Sequence, residues 1–283
     1  MLNPEIFLIF AEKTVDNDRF LERARELKVK LTPLPEAGLA IILRKDGMRV
    51  FFSGRDITAR ILRSRIIFRG KGAGKNTVIA LAKFAKQNHV PFLDSIESIS
   101  LSGKTCYLPT VKLKKTKHMP TIFCEKVSDL PGKIPFKSPF VIKPASGNRG
   151  RGVRVAHRIT DLKKGKWQAV LIQPQMQFAA EYRVLVLGQK VLAVAEKFKA
   201  KNSLVANFSR GGNFHASDLP VTLKNEATRI CRDLGIELGG VDFARIGRTF
   251  YFLEVNRACG ICGVEESTGV DASGKIIEFL LKK

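Results

Sequence analysis

Over the first hundred residues the apolar positions fall into short unbroken runs. IFLIFA (6–11), LAIIL (39–43), RIIF (65–68) and PFLD (91–94) read as strands. Between the first two, Phe20, Leu21, Ala24 and Leu27 recur at helical spacing from Asp16 to Leu27, behind Asp and Asn capping residues. A second helix is expected at about 75–88, so the alternation predicts a mainly parallel α/β lobe over residues 1–100. A break near 95–103 and a short helical piece follow. From residue 119 the pattern becomes many short strands: TIFC, FVIKP, VRVA, AVLIQ, YRVLVLG and KVLAVAEKF, with a hairpin expected around Gly188-Gln189. A helix at about 222–234, the strands GGVDFARI and TFYFLEVN, and a helix from about 271 complete the chain. No internal repeat or low-complexity linker interrupts this α+β architecture.

Composition narrows the class. With 283 residues and 45% hydrophobic content the chain can bury a core in two or three lobes. No run approaches the ~18 apolar residues of a membrane span. The start, MLNPEIFLIF, carries Glu5 within its apolar run and lacks a basic leader, so a cytoplasmic location without a membrane partner is expected. Five cysteines, at 106, 124, 231, 259 and 262, are an odd, scattered set and do not resemble a disulfide framework. Lys+Arg 49 against Asp+Glu 26 leaves a formal +23, a field that attracts polyanions: nucleic acid, an acidic protein or an anionic small substrate. One dense cluster, KLKKTKH from Lys112 to His118, reads either as a specific polyanion site or as a solvated face.

Two stretches invite a phosphate. FRGKGAGKN (68–76) fails the P-loop pattern, because Arg69 stands where the first glycine belongs and Asn76 where a hydroxyl should bind magnesium. PFVIKPASGNRGRGV (139–153) is better suited. Lys143 near a strand end gives a fixed charge, and Gly147, Gly150 and Gly152 allow close backbone approach, although a glycine hairpin without ligand has the same look. In GVDFARIGRTFYFLEVN (240–256), a turn at Gly247-Arg248 would set Asp242 opposite Glu254, and period two puts Asn256 on the face of Glu254. Such hard oxygens suit Mg²⁺ held jointly with nucleotide phosphates, since carboxylates in apolar strands are costly without a cation. Carboxylates facing water on an exposed sheet are the alternative. Cys259-Gly-Ile-Cys262 has C-x-x-C spacing but no second ligand pair for zinc. The four histidines show no nucleophile-base pattern.

Lys143 with its glycine loop, LIQPQM (171–176), Glu181 before Arg183, NFSRGG (207–212), GVDFAR and LEVNRACGICGVEESTGVDASGKIIEFL (253–280) together resemble the RimK-like branch of the ATP-grasp superfamily. The resemblance covers nearly the whole chain and is strongest over 138–283. It implies three lobes, with ATP clamped between a central subdomain (101–176) and a C-terminal one (177–283). Lys104 and Lys143 would hold phosphates, Gln173, Gln175 and Met176 would lie at the adenine hinge, and Glu181 would take the ribose hydroxyls. Asp242, Glu254 and Asn256 would bind two magnesium ions, with manganese an alternative. Asn207 and Arg210 would face the transferred phosphoryl group, and Arg69, Lys71 and Lys75 an anionic acceptor. The implied activity is ATP-dependent joining of a carboxylate to an amine through an acyl phosphate, glutamate being the leading amino acid. Amino-acid and carboxylate substrates, an acidic protein or peptide, and further copies of the chain are the implied partners. A kinase on the same fold, or a nucleic-acid binder with a vestigial ATP site, are the alternatives. Pro174 and Cys259 depart from the family pattern, and Pro174 offers no N–H to a base.

Overall fold

Every residue of the strand Ile6–Phe10 is buried, and a strand apolar on both faces needs a layer on each side. The computed structural model supplies both; it describes residues 4–45, 47–69, 76–101, 104–130, 134–145, 152–158, 160–161, 168–198 and 212–283. Ile6–Phe10 is the middle of a parallel three-stranded sheet between Leu31–Pro35 and Arg65–Phe68. Phe7 and Ile9 pack with Val78, Leu81 and Phe84 of the helix Asn76–Gln87. Ile6, Leu8 and Phe10 face the helix Val15–Glu26, whose Thr14 hydroxyl accepts the Asn17 N–H at its start.

The front lobe departs from expectation in two strands. LAIIL forms Leu39–Arg44 as expected, but in a separate antiparallel sheet with Gly47–Phe52 and Arg55–Asp56. Gly47 at φ +121° lets the chain double back at once, a conformation that favours glycine. The third parallel strand is instead LTPLP, which sits at the sheet edge where Pro33 and Pro35 cost no ladder bond. PFLD makes only a bridge, Ile66 to Phe92, before Asp94 turns the chain at φ +70°.

Two further sheets follow. A small antiparallel sheet orders Arg154–Ala156, Phe140–Pro144, Gln168–Pro174 and Ile122–Lys126. A six-stranded sheet orders Asn213–Ala216, Lys190–Phe198, Ala180–Leu187, Leu238–Ile246, Thr249–Asn256 and Lys117–His118, antiparallel except for the last pair. Ala180–Leu187 is buried along its whole length. Val184 and Val186 meet the helix Val221–Asp233, while Leu185 and Leu187 share a core with Ile6, Leu8, Ile276 and Leu280. The two faces of one strand therefore join the sheet's own helix to the front lobe and to the last helix, Ala272–Leu281. The expected hairpin at Gly188-Gln189 is present, with Gly188 at φ +61°. A seven-residue helix, Cys262–Thr268, has no counterpart in the expectations, because so short a run carries no readable period. No helix among the described residues is long and apolar enough to cross a membrane.

Candidate active site

Alternation along FVIKP sends Phe140 and Ile142 into the core of the small sheet with Val170 and Ile172, and Lys143 to the opposite face. There the Lys143 ammonium donates to Gln173 Oε1 at 2.7 Å, and Gln173 Nε2 donates to Thr121 Oγ1 at 2.8 Å. Burial pushes the Lys143 amine down to about 8, the neighbouring Lys104 adds to the shift, and Glu254 and Glu181 oppose it. Beside Gln173 opens a cavity of about 370 Å³ lined by Leu108, Met119, Thr121, Phe123 and Leu253.

On the large sheet the hairpin turns at Gly247-Arg248 and pairs Asp242 with Glu254 and Gly240 with Asn256, with a register shift after Asp242. Lys104, at the start of the helix Lys104–Tyr107, meets Glu254 at 2.5 Å, and the Asn256 amide donates to the other oxygen at 2.8 Å. Burial alone would raise the Glu254 carboxyl, but Lys104, Asn256 and Lys197 outweigh it and hold the group far below the ordinary carboxylate range. The Tyr107 hydroxyl accepts the Val255 N–H at 3.3 Å, and burial followed by the Glu254 charge keeps it protonated.

Asp242 is 2% exposed and accepts from two basic side chains. Arg183, its cross-strand neighbour, donates through Nε and Nη2 at 2.8 and 2.7 Å, and Lys197 adds a third contact at 3.0 Å. Lys197 also lies 3.8 Å from Glu181. Burial works against the Arg183 charge, yet Asp242 more than offsets it. Gly240 makes this packing possible, because a Cβ there would sit 2.7 Å from Cys259 Cβ and 3.2 Å from Arg183 Nε. Gly152, at φ +75°, similarly abuts Pro144, next to Lys143.

The sequence-derived candidates thus separate into groups. Lys104, Lys143, Gln173, Glu181, Asp242, Glu254 and Asn256 form one linked group: Lys143 with Gln173, Lys104 and Asn256 with Glu254, and Lys197 joining Glu181 to Asp242, with Lys104, Glu254 and Glu181 all acting on the Lys143 charge. Gln175 is exposed and Met176 half-buried after the strand, and the Gln175 N–H is taken by the Pro139 carbonyl at 2.7 Å. Arg69 is buried at the end of the front strand, donating to the Cys259 carbonyl at 2.5 Å, 3.9 Å from Asp16, with its guanidinium 5.6 Å from the Phe20 ring centre. Its Nε and Nη1 have no hydrogen-bond partner among the described residues. Gly147, Gly150, Asn207, Arg210, Lys71 and Lys75 lie outside the described residues. Sequence reasoning gave no role to Arg183, Lys197 or Thr121. For the first two the available signal was a charge inside an apolar strand.

The fit to magnesium can be read from the donors. Among the described residues no group of three or more His, Cys, Asp or Glu side chains gathers as a self-sufficient metal cage. Glu254 and Asn256 with Asp242 are the sparse oxygen set that suits a cation sharing its coordination with phosphates. Asp242 already accepts from Arg183 and Lys197, but two carboxylate oxygens carry about four acceptor positions, so one remains to share.

A family model described as RimK-like ATP-grasp domain matches residues 103–280. A protein named probable alpha-L-glutamate ligase from Picosynechococcus sp. is 31% identical over 172 residues, covering 57% of this chain and 57% of that protein. This chain therefore spans little more than half the length of that relative. The solved structure of ATP-grasp ligase PsnB complexed with minimal precursor superposes with a TM-score of 0.74 at 16% identity, over 100% of both chains. D-alanine--D-alanine ligase from Bacillus anthracis complexed with ATP gives 0.67 at 14%, over 99% of this chain and 96% of that one. At those identities the likeness speaks for the fold, which is α+β and ATP-grasp, as the motif set implied.

Proposed function

Because the chain belongs to the RimK-like ATP-grasp family, we propose that it is an ATP-dependent carboxylate-amine ligase, adding an amino acid, glutamate foremost, to a peptide, protein or small carboxylate acceptor. What supports the reading is that Lys143 of the small sheet feels the charges of Lys104 and Glu254, which pair with each other at the large sheet: two ammonium groups and an ionised carboxylate in one neighbourhood. The family's ligand roles would fall on these residues and those around them. Lys143 and Lys104 bind phosphate oxygens as fixed charges, with Gln173 orienting Lys143. Glu181 takes the ribose, and the cavity beside Gln173 takes the base. Magnesium held by Glu254, Asn256 and Asp242, as two ions in the family pattern, would neutralise phosphate charge.

In the reaction proposed, an acceptor carboxylate oxygen attacks the γ-phosphorus, the bond to the β-bridging oxygen breaks, and ADP leaves. The amine then attacks the acyl carbon, loses a proton to solvent, and expels phosphate with its electron pair. Positive charge on Lys104, Lys143 and Arg210 steadies what develops on oxygen in both steps, with Asn207 and Arg210 in the family's roles toward the transferred phosphoryl group. Arg69, Lys71 and Lys75 hold the anionic acceptor; the two Arg69 nitrogens without a hydrogen-bond partner among the described residues support this role. Each step depends on positioning more than on covalent chemistry by the protein.

Purified protein incubated with Mg-ATP, an amino-acid panel and acidic peptides should release ADP. Mass spectrometry should show two substrates joined with loss of water. Addition of one phosphate would mean a kinase, and absence of ADP across the panel would end the ligase reading. Glu254→Gln should lower kcat/KM by about 100-fold or more.

A further inference from the structure

The basic run KLKKTKH borders this site at His118, which lines the cavity beside Gln173, and its backbone is held from beneath. Glu226, buried on Val221–Asp233, accepts the backbone N–H of Lys114 and, at 2.8 Å, that of Lys115 on the same oxygen. Arg229, one turn on, donates to the Lys112 carbonyl at 2.6 Å. Val111 and Thr116 are buried, and His118 Nε2 is 2.9 Å from the Val111 carbonyl. With the backbone anchored this way, Lys112, Lys114, Lys115 and Lys117 are all exposed. None of the four ammonium groups has a carboxylate partner among the described residues, and Asp233 on the supporting helix is taken by Arg229 and Arg232. The run ends in Lys117–His118, the outermost strand of the six-stranded sheet, which pairs with Tyr251 and Phe252 and has no strand on its other side among the described residues. An open strand edge is a template for one more strand.

We propose that residues 112–118 form a docking strip for an extended acidic peptide, whose carboxylates meet the four lysines while its backbone pairs with the open edge. Fixing the backbone of the run in advance lowers the ordering cost that a flexible basic tail would carry on binding. A single-stranded nucleic acid fits less well. The strip carries a single ring, His118, which packs edge-on against Phe252, where single-strand binders stack successive bases on several, and a phosphodiester has no N–H to pair with a sheet edge. Met119 and Thr121, immediately downstream, line the cavity beside Gln173, so a docked peptide lies next to the candidate site. On the ligase reading the strip would lower the KM of an acidic protein acceptor. Binding itself needs no turnover, so either idea can fail without the other.

The test is fluorescence anisotropy of a labelled oligoglutamate peptide on the full chain at low salt. Two variants of equal charge change are compared. One replaces Lys112, Lys114, Lys115 and Lys117 by Ala; the other replaces Lys28, Lys45, Lys83 and Lys282, which are exposed elsewhere. Both sets are solvated, and unchanged melting temperatures would establish that both variants fold. The strip variant should weaken binding about tenfold and flatten its salt dependence, with the second variant within about twofold of the parent. Equal losses in the two variants would reduce the effect to the overall field and overturn the proposal. So would tighter binding of oligothymidylate than of oligoglutamate, or no peptide binding by the parent chain.

Discussion

At the scale of single residues the sharpest handle is Lys143. Its amine is pushed down to about 8 by burial first and Lys104 second, so it is charged below that pH and neutral above it. The unfolded chain holds this proton up to about pH 10.4. Between the two values the unfolded state binds more protons, so the group's contribution to ligand-free stability rises with pH across that window. Anion binding runs the other way. Nucleotide affinity measured by calorimetry should fall by up to about tenfold per pH unit above about 8, and Lys143→Arg, which stays charged, should flatten the profile. A flat profile in the parent would remove Lys143 from the phosphate site. Gly240→Ala should cost about 1–3 kcal/mol in urea unfolding, because the added methyl meets Cys259 and crowds Arg183. Part of this scale was legible beforehand: a turn at Gly247-Arg248 predicts Asp242 opposite Glu254, and period two predicts Asn256 on the face of Glu254. The pairing is reached only through the register shift after Asp242, without which Leu253 would stand opposite. The Arg183 to Asp242 to Lys197 network was not legible, since it depends on the register between the hairpin 180–198 and Leu238–Ile246, a strand distant in sequence.

Among elements, the helix Val221–Asp233 does two jobs. Leu223, Ala227 and Ile230 close one core, and Glu226 anchors the lysine run. Burial would raise the Glu226 carboxyl, but the Lys114 and Lys115 N–H groups outweigh this and hold it lowered. Its stabilising contribution is therefore complete above the unfolded value of about 4.3 and is lost as pH falls through the lower folded value. Glu226→Ala should cost about 1–3 kcal/mol at neutral pH, a difference that shrinks in acid, and should open tryptic cleavage within 112–117. Unchanged proteolysis would show that the run is held by other means. A polar residue on a helix gives no sign of facing inward, so this anchor escaped the pattern. LAIIL was legible as a strand but not as part of a hairpin. Its neighbour GMRVFF mixes polar and apolar positions, and Leu43 is 83% exposed in a run that looked fully buried.

Across the whole molecule, the front sheet and the last helix cannot be separated energetically. Ile6, Leu8, Phe20, Leu185, Ile276 and Leu280 form one core drawn from both ends of the chain. Further ties run from Arg65 to the Leu280 carbonyl and from Lys283 to the Phe92 carbonyl. Ile276→Ala should cost about 2–5 kcal/mol, and near- and far-ultraviolet circular dichroism should shift together on melting. Two resolved transitions would show that the lobes unfold independently. The passage from alternating strands and helices to short antiparallel strands could be read from the change of pattern at residue 119, whereas the core shared between the two parts could not, because periodicity reports which face is apolar and not what covers it. That core also sets a timetable for biosynthesis. At roughly 5–20 residues per second, the first strand leaves the ribosome tens of seconds before the helix that completes its hydrophobic face, so the nascent chain must keep Ile6, Leu8 and Phe20 from wrong partners until Ala272–Leu281 emerges.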